Sequence, residues 1–193
     1  MGLTLLASAE TLGCSERTLR RYINDGLLHG RSIASRPLEL PAAEERYLRS
    51  HWTLLSKLRR ALRTERDVRL AVLFGSTAIG EDNPVSDVDL LIAHRRTDSS
   101  TQAALALRLR RALGKPVDIV QLEHAEAAPS LLADVLQEGR VLIDRDGLWD
   151  VLGERRQLIL AAAEREDQLT ATRARESVAA ARARLAAPRE RAG

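Results

Sequence analysis

The sequence is poor in aromatic residues, in cysteine and in lysine. Aromatic side chains make up 3% of the 193 residues, and the single cysteine, Cys14, has no partner in the chain for a disulfide. No apolar run approaches the roughly 18 residues that span a membrane, and residues 1–7 lack the charged start and long apolar stretch of a signal peptide. We therefore expect a globular cytoplasmic protein, with no membrane contact and a core of Leu, Val, Ile and Ala.

Positive charge is unevenly distributed along the chain. Residues 1–66 contain 12 Lys and Arg against 7 Asp and Glu, whereas residues 67–193 contain 18 against 20. Lys57 and Lys115 are the only lysines, so arginine supplies nearly all of the positive charge. A basic first third followed by a more acidic remainder indicates a polyanion-binding module attached to a second module.

The N-terminal segment has the pattern of two short helices joined at Gly13. Apolar residues recur at helical spacing before this glycine. After it, Ser15 is suited to cap a second helix whose apolar stripe is Leu19, Tyr22 and Ile23. The pattern predicts a pair of helices with a tight turn.

In residues 26–66 the sequence predicts the end of the second helix, then a non-helical segment, and then a linker helix. Gly26 and Gly30 bracket a segment in which a short hairpin or wing can begin, and Pro37 prevents a helix from continuing. From Pro41 to Glu65 the apolar spacing predicts one long helix that joins the two modules.

The second module has the pattern of an α+β fold with a mixed sheet, because strand-like and helix-like segments alternate. Compact apolar runs of strand length occupy residues 68–74, 88–93 and 116–122, with a helix predicted at 101–114. Further on, the sequence predicts a helix at 130–138, a last strand and turn at 141–147, and a long helix at 148–187.

We expect four units: a winged helix-turn-helix at 1–40, a linker helix at 41–66, a sheet domain at 67–147, and a C-terminal helix with a disordered tail at 148–193. The last helix carries an apolar stripe that should dock on the sheet domain or on a second copy: Val151, Leu152, Leu158, Ile159, Ala162 and Leu169. Beyond this stripe the apolar area is too small to anchor the helix to one domain, so this stretch needs a partner. Because helix-turn-helix proteins commonly bind paired half-sites as dimers, we expect a homodimer through the 41–65 helix, with or without the C-terminal helix.

Acidic residues at strand positions form the candidate catalytic centre. Gly75 and Ser76 close the first predicted strand, where a glycine lets backbone amides approach phosphates. Asp87 and Asp89 are two residues apart on the second strand, so their carboxylates point the same way. Asp118 lies in the third strand. Such a cluster is typical of a divalent-cation site for phosphoryl transfer.

With these residues in this order, the segments GSTAIGEDNPVSDVDLLI and VDIV resemble the minimal nucleotidyltransferase domains of the polymerase-beta-like superfamily over residues 68–120. The resemblance implies that Gly75 and Ser76 hold the nucleotide phosphates. It implies that Asp87 and Asp89 bind two Mg²⁺ ions, and that Asp118 binds the catalytic ion and helps to activate the attacking hydroxyl.

The reaction implied by the resemblance is transfer of NMP, with AMP favoured, from an NTP with release of pyrophosphate. Ile79 stands where many relatives carry arginine, which removes a contact to phosphate. We expect Glu81 and Asp82 to be solvated loop residues rather than metal ligands.

The front of the chain, LASAETLGCSERTLRRYINDGLL, resembles a MerR-type winged helix-turn-helix over residues 3–36. In that family the second helix enters the major groove of DNA. The resemblance implies contacts to base edges from Ser15, Glu16, Arg17 and Thr18, and contacts to phosphates from Arg20, Arg21, Arg31 and Arg36. The same pattern also occurs in protein-interaction domains.

Two functions follow from the combination. In the first, the chain transfers NMP to a protein or RNA hydroxyl, and it resembles members of bacterial toxin–antitoxin pairs that act on a helical partner or on tRNA. In the second, the chain is a DNA-binding regulator whose nucleotidyltransferase fold senses nucleotides or is catalytically silent. The three acidic residues favour the first function, whereas Ile79 and the basic front leave the second function open.

Overall fold

A computed structural model describes residues 3–30, 39–95 and 99–186. The N-terminal part consists of the following elements: β1 (Leu3–Thr4), α1 (Leu5–Leu12), α2 (Glu16–Asn24), β2 (Glu39–Leu40) and α3 (Ala42–Thr64). The remainder is as follows: β3 (Val68–Phe74), α4 (Gly75–Ile79), β4 (Val88–His94), α5 (Ser99–Leu113), β5 (Val117–Gln121), α6 (Leu122–Glu126), α7 (Pro129–Glu138), β6 (Arg140–Asp144), α8 (Leu148–Glu154) and α9 (Arg156–Ala186).

The main sheet has four strands in the order β5-β4-β3-β6. β4 and β5 run parallel, whereas β3 runs antiparallel to both β4 and β6. The α+β class and the mixed sheet predicted from the sequence are confirmed. The four predicted strands all form, and α3 and α7 follow their predicted ranges closely.

Helices cover both faces of the sheet, which explains why its strands are almost continuously apolar. Successive residues of a strand point to opposite faces, so Leu73 packs in one apolar cluster and Val72 in the other. The Leu73 cluster includes residues of α1, α2, α3 and α5. The Val72 cluster includes residues of α7, α8 and α9.

The N-terminal helices share the core of the sheet. Leu5 of α1 and Leu19 of α2 are buried in the same cluster as Leu73. Leu27 and Leu28 lie in the segment where a hairpin or wing is expected to begin; both are buried, and both of their N–H groups donate to the carbonyl of Tyr22 at 2.9 and 3.1 Å. Apolar side chains at these two positions turn inward to fill the core.

A short antiparallel pair closes the N-terminal segment: Leu3 is opposite Leu40, and Thr4 is opposite Glu39. Most of the wing region, residues 31–38, lies outside the described residues. The winged helix-turn-helix therefore stays a prediction, as do the domain boundaries drawn from the sequence.

The long C-terminal helix is interrupted at Arg155 into α8 and α9, two residues after Gly153, a weak helix former. Its buried residues are Leu152, Ile159 and Ala163. Half of the predicted stripe faces solvent instead: Val151, Leu158 and Leu169 are 48%, 72% and 59% exposed. Neighbouring residues are about 100° apart on a helix, so only one of each adjacent pair can face the core.

No helix in the described ranges combines the length and apolarity required to cross a membrane.

Candidate active site

Three carboxylates converge at one end of the sheet. Asp89 of β4 is directly opposite Asp118 of the parallel strand β5, and Asp87 precedes Asp89 by two residues. Each of the three offers an oxygen within 4.8 Å of an oxygen from the others. The structure thus brings together the acidic residues that the sequence singled out, by strand pairing and by the two-residue period of a strand.

The electrostatics of this cluster fit a divalent cation. Burial raises the pKa of the Asp89 carboxyl, and the negative charges of Asp87 and Asp118 raise it further. Carboxylate oxygens are the ligands that Mg²⁺ prefers. The acidic triad is therefore compatible with divalent metal binding.

Gly75 lies against this cluster at the start of α4. Phe74, the last residue of β3, is opposite Asp89, so the chain turns into α4 beside the carboxylates. Gly75 has φ +69°, and a Cβ atom there would lie 2.5 Å from Oδ2 of Asp89. A side chain at this position would displace the carboxylate. Ser76 follows in α4 and is partly exposed.

Thr77 is a residue that the sequence reasoning missed. It is completely buried, and its hydroxyl donates to the backbone carbonyl of Asp87 at 3.0 Å. The bond ties α4 to the segment that enters β4, and so it helps to position Asp87. The one signal available in the sequence was its place directly after Gly75 and Ser76.

Asp82 is not a solvated loop residue, which corrects the expectation from the sequence. His51 Nε2 lies 2.6 Å from Asp82 Oδ1, and Lys115 Nζ donates to Asp82 Oδ2 at 3.2 Å. Burial acts to raise the pKa of Asp82, but the hydrogen bonds from His51 and Lys115 outweigh it and lower that pKa.

These contacts link three parts of the chain around the site. His51 belongs to α3, Asp82 to the loop before Asp87, and Lys115 to the turn that precedes Asp118. The ring of His51 also stacks on Tyr47 of α3, with centroids 4.4 Å apart. The long helix therefore supports both segments that deliver the carboxylates.

The residues predicted to contact DNA lie on or next to α2. Ser15 caps this helix as predicted, accepting from the Thr18 N–H at 3.1 Å. Arg17, Arg20 and Arg21 are exposed, and Arg20 pairs with Glu16 at 2.7 Å. Arg31 and Arg36 lie outside the described residues.

The chain is similar to known proteins over its central part. Residues 56–147 match the family model described as "Polymerase beta, Nucleotidyltransferase". No curated protein matches the sequence.

Solved structures share the fold at low identity. A toxin-antitoxin with AMP-PNP is 24% identical with a TM-score of 0.52, over 62% of this chain and 97% of that one. A mutant of the toxin-antitoxin MntA-HpeT is 22% identical with a TM-score of 0.53, over 62% and 97%. The tri-AMPylated Shewanella oneidensis HEPN toxin in complex with MNT antitoxin is 21% identical with a TM-score of 0.50, over 64% and 98%.

The matched region contains the three carboxylates, Gly75 and Ser76. Helices α1 and α2 precede it, and α8 and α9 follow it. Residues 56–147 match the polymerase beta nucleotidyltransferase domain, and the protein is a nucleotidyltransferase.

Proposed function

We propose that the protein transfers NMP, with AMP favoured, from an NTP to a hydroxyl group of a protein or an RNA. The observation that carries this proposal is the cluster of Asp87, Asp89 and Asp118 against Gly75. Three carboxylates within 4.8 Å of one another repel unless protons or cations compensate them. A nucleoside triphosphate is also negatively charged, so divalent cations bound here would compensate both the carboxylates and the phosphates.

Each residue has a role in this proposal. Gly75 and Ser76 bind the nucleotide phosphates, and the lack of a side chain at Gly75 leaves room for the carboxylate of Asp89 beside them. Asp118 accepts the proton of the acceptor hydroxyl, whose oxygen forms a bond to the α-phosphorus. The bond from the α-phosphorus to the bridging oxygen breaks, and pyrophosphate leaves with its electron pair.

Asp87, Asp89 and Asp118 are the residues that would hold two Mg²⁺ ions. When bound, the ions would neutralise negative charge on the phosphates and on the leaving pyrophosphate. Thr77 contributes indirectly, as a positioning residue, because its hydroxyl holds the backbone of Asp87.

ATP as donor and a partner protein as acceptor are supported by the fold comparison. One solved structure with this fold is a toxin-antitoxin with AMP-PNP, and another contains a tri-AMPylated HEPN toxin with MNT antitoxin. We therefore propose a role in a bacterial toxin–antitoxin system, with a helical partner or a tRNA as acceptor.

Labelled NTPs test the transfer directly. The protein is incubated with radiolabelled ATP, CTP, GTP or UTP, Mg²⁺ and extract of the host cell, and products are separated by gel. We expect label from ATP in a protein or RNA band, and none with Asp87→Asn or Asp89→Asn. Equal labelling by these variants would show that the acidic pair is structural, and no labelling by the wild type would favour a silent regulator.

A second function, DNA binding, is favoured by the exposed arginines of α2. We propose that Arg20 and Arg21 bind phosphates and that Arg17 reads bases. Replacing Arg20 or Arg21 with Ala should weaken binding to all sequences and reduce its salt dependence, whereas Arg17→Ala should reduce sequence discrimination. Gel retardation of the upstream DNA at about 50 mM salt measures both effects. Failure of the wild type to retard that DNA would refute this function.

We also propose a homodimer through α3, with or without α9. All described side chains between 167 and 179 are exposed, so this part of α9 buries no side chain against the rest of the described chain. Deleting residues 170–193 should cost the nucleotidyltransferase domain little stability. Light scattering at tens of micromolar tests the assembly, and a strict monomer with and without DNA would contradict the dimer.

A further inference from the structure

A second cavity lies far from the carboxylates. It has a volume of about 440 Å³ and is bounded by the end of α2, by α3, and by β6 with the start of α8. Arg59, Arg63, Asp25 and Trp149 are among its lining residues. A cavity of this size is within the range that small-molecule ligands occupy.

Arg59 is the unusual residue in this cavity. Its side chain is 12% exposed, and its Nε and Nη1 atoms are buried with no hydrogen-bond acceptor among the described residues. Its Nη2 lies 4.0 Å from Asp25 Oδ2, which is too long for a hydrogen bond. The guanidinium stacks on the ring of Tyr22 at 4.1 Å, which supplies attraction but no acceptor.

A buried guanidinium with free donors is costly, because it has lost water without gaining partners. Burial and the positive charges of Arg63 and Arg21 lower the pKa of Arg59, which reflects the same deficit of negative charge. An anion bound to the guanidinium would supply both the missing hydrogen-bond acceptors and the missing negative charge. The site is thus poised to bind negative charge.

Other charged groups of the cavity are already engaged. Asp144 accepts the N–H groups of Asp146, Leu148 and Trp149 at 3.0 to 3.2 Å. Arg145 donates to the carbonyls at the end of α3, including that of Arg63 at 3.2 Å. Of the basic residues that line the cavity, Arg59 and Arg63 are therefore the ones available to bind an anion.

Two acidic side chains, Asp25 and Asp150, also line the cavity. They exclude a ligand that is negative over its whole length. They instead suit a ligand that presents hydroxyl or amino donors away from its anionic group.

Aromatic residues concentrate at the same place in a chain with only five. Trp149 lines the cavity, and an adjoining cavity that shares Arg59 and Arg63 is lined by Tyr22 and Trp52. Aromatic faces beside a guanidinium bind the flat rings of nucleobases. The lining therefore offers contacts for an anion, for hydroxyl donors and for an aromatic ring.

The cavity is separate from the acidic cluster. β3 ends at Phe74, opposite Asp89, whereas the other end of β3 is paired with the end of β6, where Leu70 is opposite Asp144. The Arg59 cavity follows β6 towards that far end. A ligand there would not share residues with the carboxylate cluster.

We propose that the Arg59 cavity is a second binding site, for a nucleotide whose phosphate meets Arg59 and Arg63 and whose base contacts Trp149. The site lies between the N-terminal helices and the sheet, so a bound ligand would contact both. This inference does not depend on the transfer reaction proposed above.

Tryptophan fluorescence provides the test, since Trp52 and Trp149 are the only tryptophans. Full-length Trp52→Phe protein leaves Trp149 as the single reporter, and it is titrated with AMP, inorganic phosphate or adenosine in EDTA. We expect a saturable change with AMP, with phosphate and adenosine each binding more weakly. Arg59→Gln should weaken AMP binding at least about tenfold, which corresponds to about 1.4 kcal/mol.

Arg49→Gln is the matched control, because Arg49 is an exposed arginine of the same helix that pairs with Glu45 and does not line the cavity. It should leave AMP binding unchanged. Arg63→Gln keeps Arg59 in place and should also weaken AMP binding. This variant replaces Arg59→Gln in the test if Arg59→Gln does not fold. Three results would overturn the proposal: a titration with no saturable change, an AMP affinity that neither Arg59→Gln nor Arg63→Gln lowers, or binding of an oligonucleotide without binding of AMP.

Discussion

Gly75 and Asp89 are so close that no side chain fits between them. A Cβ atom at Gly75 would lie 2.5 Å from Oδ2 of Asp89, and the φ of Gly75 is +69°. The last residue of β3, Phe74, pairs with Asp89 itself. The glycine is required both for the turn into α4 and for the position of the carboxylate.

Gly75→Ala should abolish nucleotidyl transfer. The left-handed backbone costs an alanine about 1 kcal/mol, and the new methyl group additionally displaces Asp89. Gly114→Ala is the control, because Gly114 has φ +70° but nothing within 4 Å of its Cβ position. Melting temperature and transfer rate measure the two effects. Equal losses of activity in both variants would show that the contact with Asp89 is unimportant.

Asp89→Asn should raise the melting temperature at neutral pH without Mg²⁺. The folded protein raises the pKa of Asp89 above its ordinary value of 3.8, so ionisation of this carboxyl opposes folding. The penalty is absent below the ordinary pKa, grows as the pH rises towards the folded-state pKa, and is complete above it. The variant should therefore gain stability over the wild type at pH 7, and the gain should vanish in acid.

Thermal melts between pH 3 and pH 8 measure this difference. Asp134→Asn, at an exposed position of α7, is the control and should show no such trend. A wild type more stable than Asp89→Asn at neutral pH in EDTA would contradict the electrostatic account.

Thr77→Val should lower both the stability and the transfer rate. It removes the hydroxyl that donates to the carbonyl of Asp87 and leaves that carbonyl without this partner. The loss of a buried hydrogen bond costs about 1–3 kcal/mol. Thr77→Ser keeps the donor, so it should restore the transfer rate even where the lost methyl group costs stability. Unfolding in urea and initial rates provide the two readouts.

Glu44→Gln should destabilise the protein by about 3–5 kcal/mol, since it leaves Arg140 buried without its counter-charge. Arg140 donates to both carboxylate oxygens of Glu44, at 2.6 and 2.9 Å, and the two side chains are 3% and 4% exposed. Glu45→Gln removes an exposed pair with Arg49 on the same helix and should cost under about 0.5 kcal/mol. Denaturant unfolding measures the free energy of unfolding of both variants. Similar losses would show that burial does not set the contribution of these ion pairs.

The sequence alone determined which residues form the acidic cluster. Asp87 and Asp89 are two residues apart in a strand, and Asp118 occupies the matching place in another apolar run. Local periodicity was sufficient to predict the strands, and the parallel pairing of β4 with β5 then brought the three carboxylates together. The cap of α2 and the length of α3 were also local properties, which is why they were predicted closely.

Tertiary structure alone decided which distant groups meet. Glu44 and Arg140 are 96 residues apart, and Asp82 is 31 residues from His51 and 33 from Lys115. No pattern along the chain marks such pairs, because each depends on how helices and strands pack rather than on the period of any one of them. The unpartnered Arg59 and the inward-facing Leu27 and Leu28 arose in the same way, since the place of a side chain between two elements is set by the packing of both.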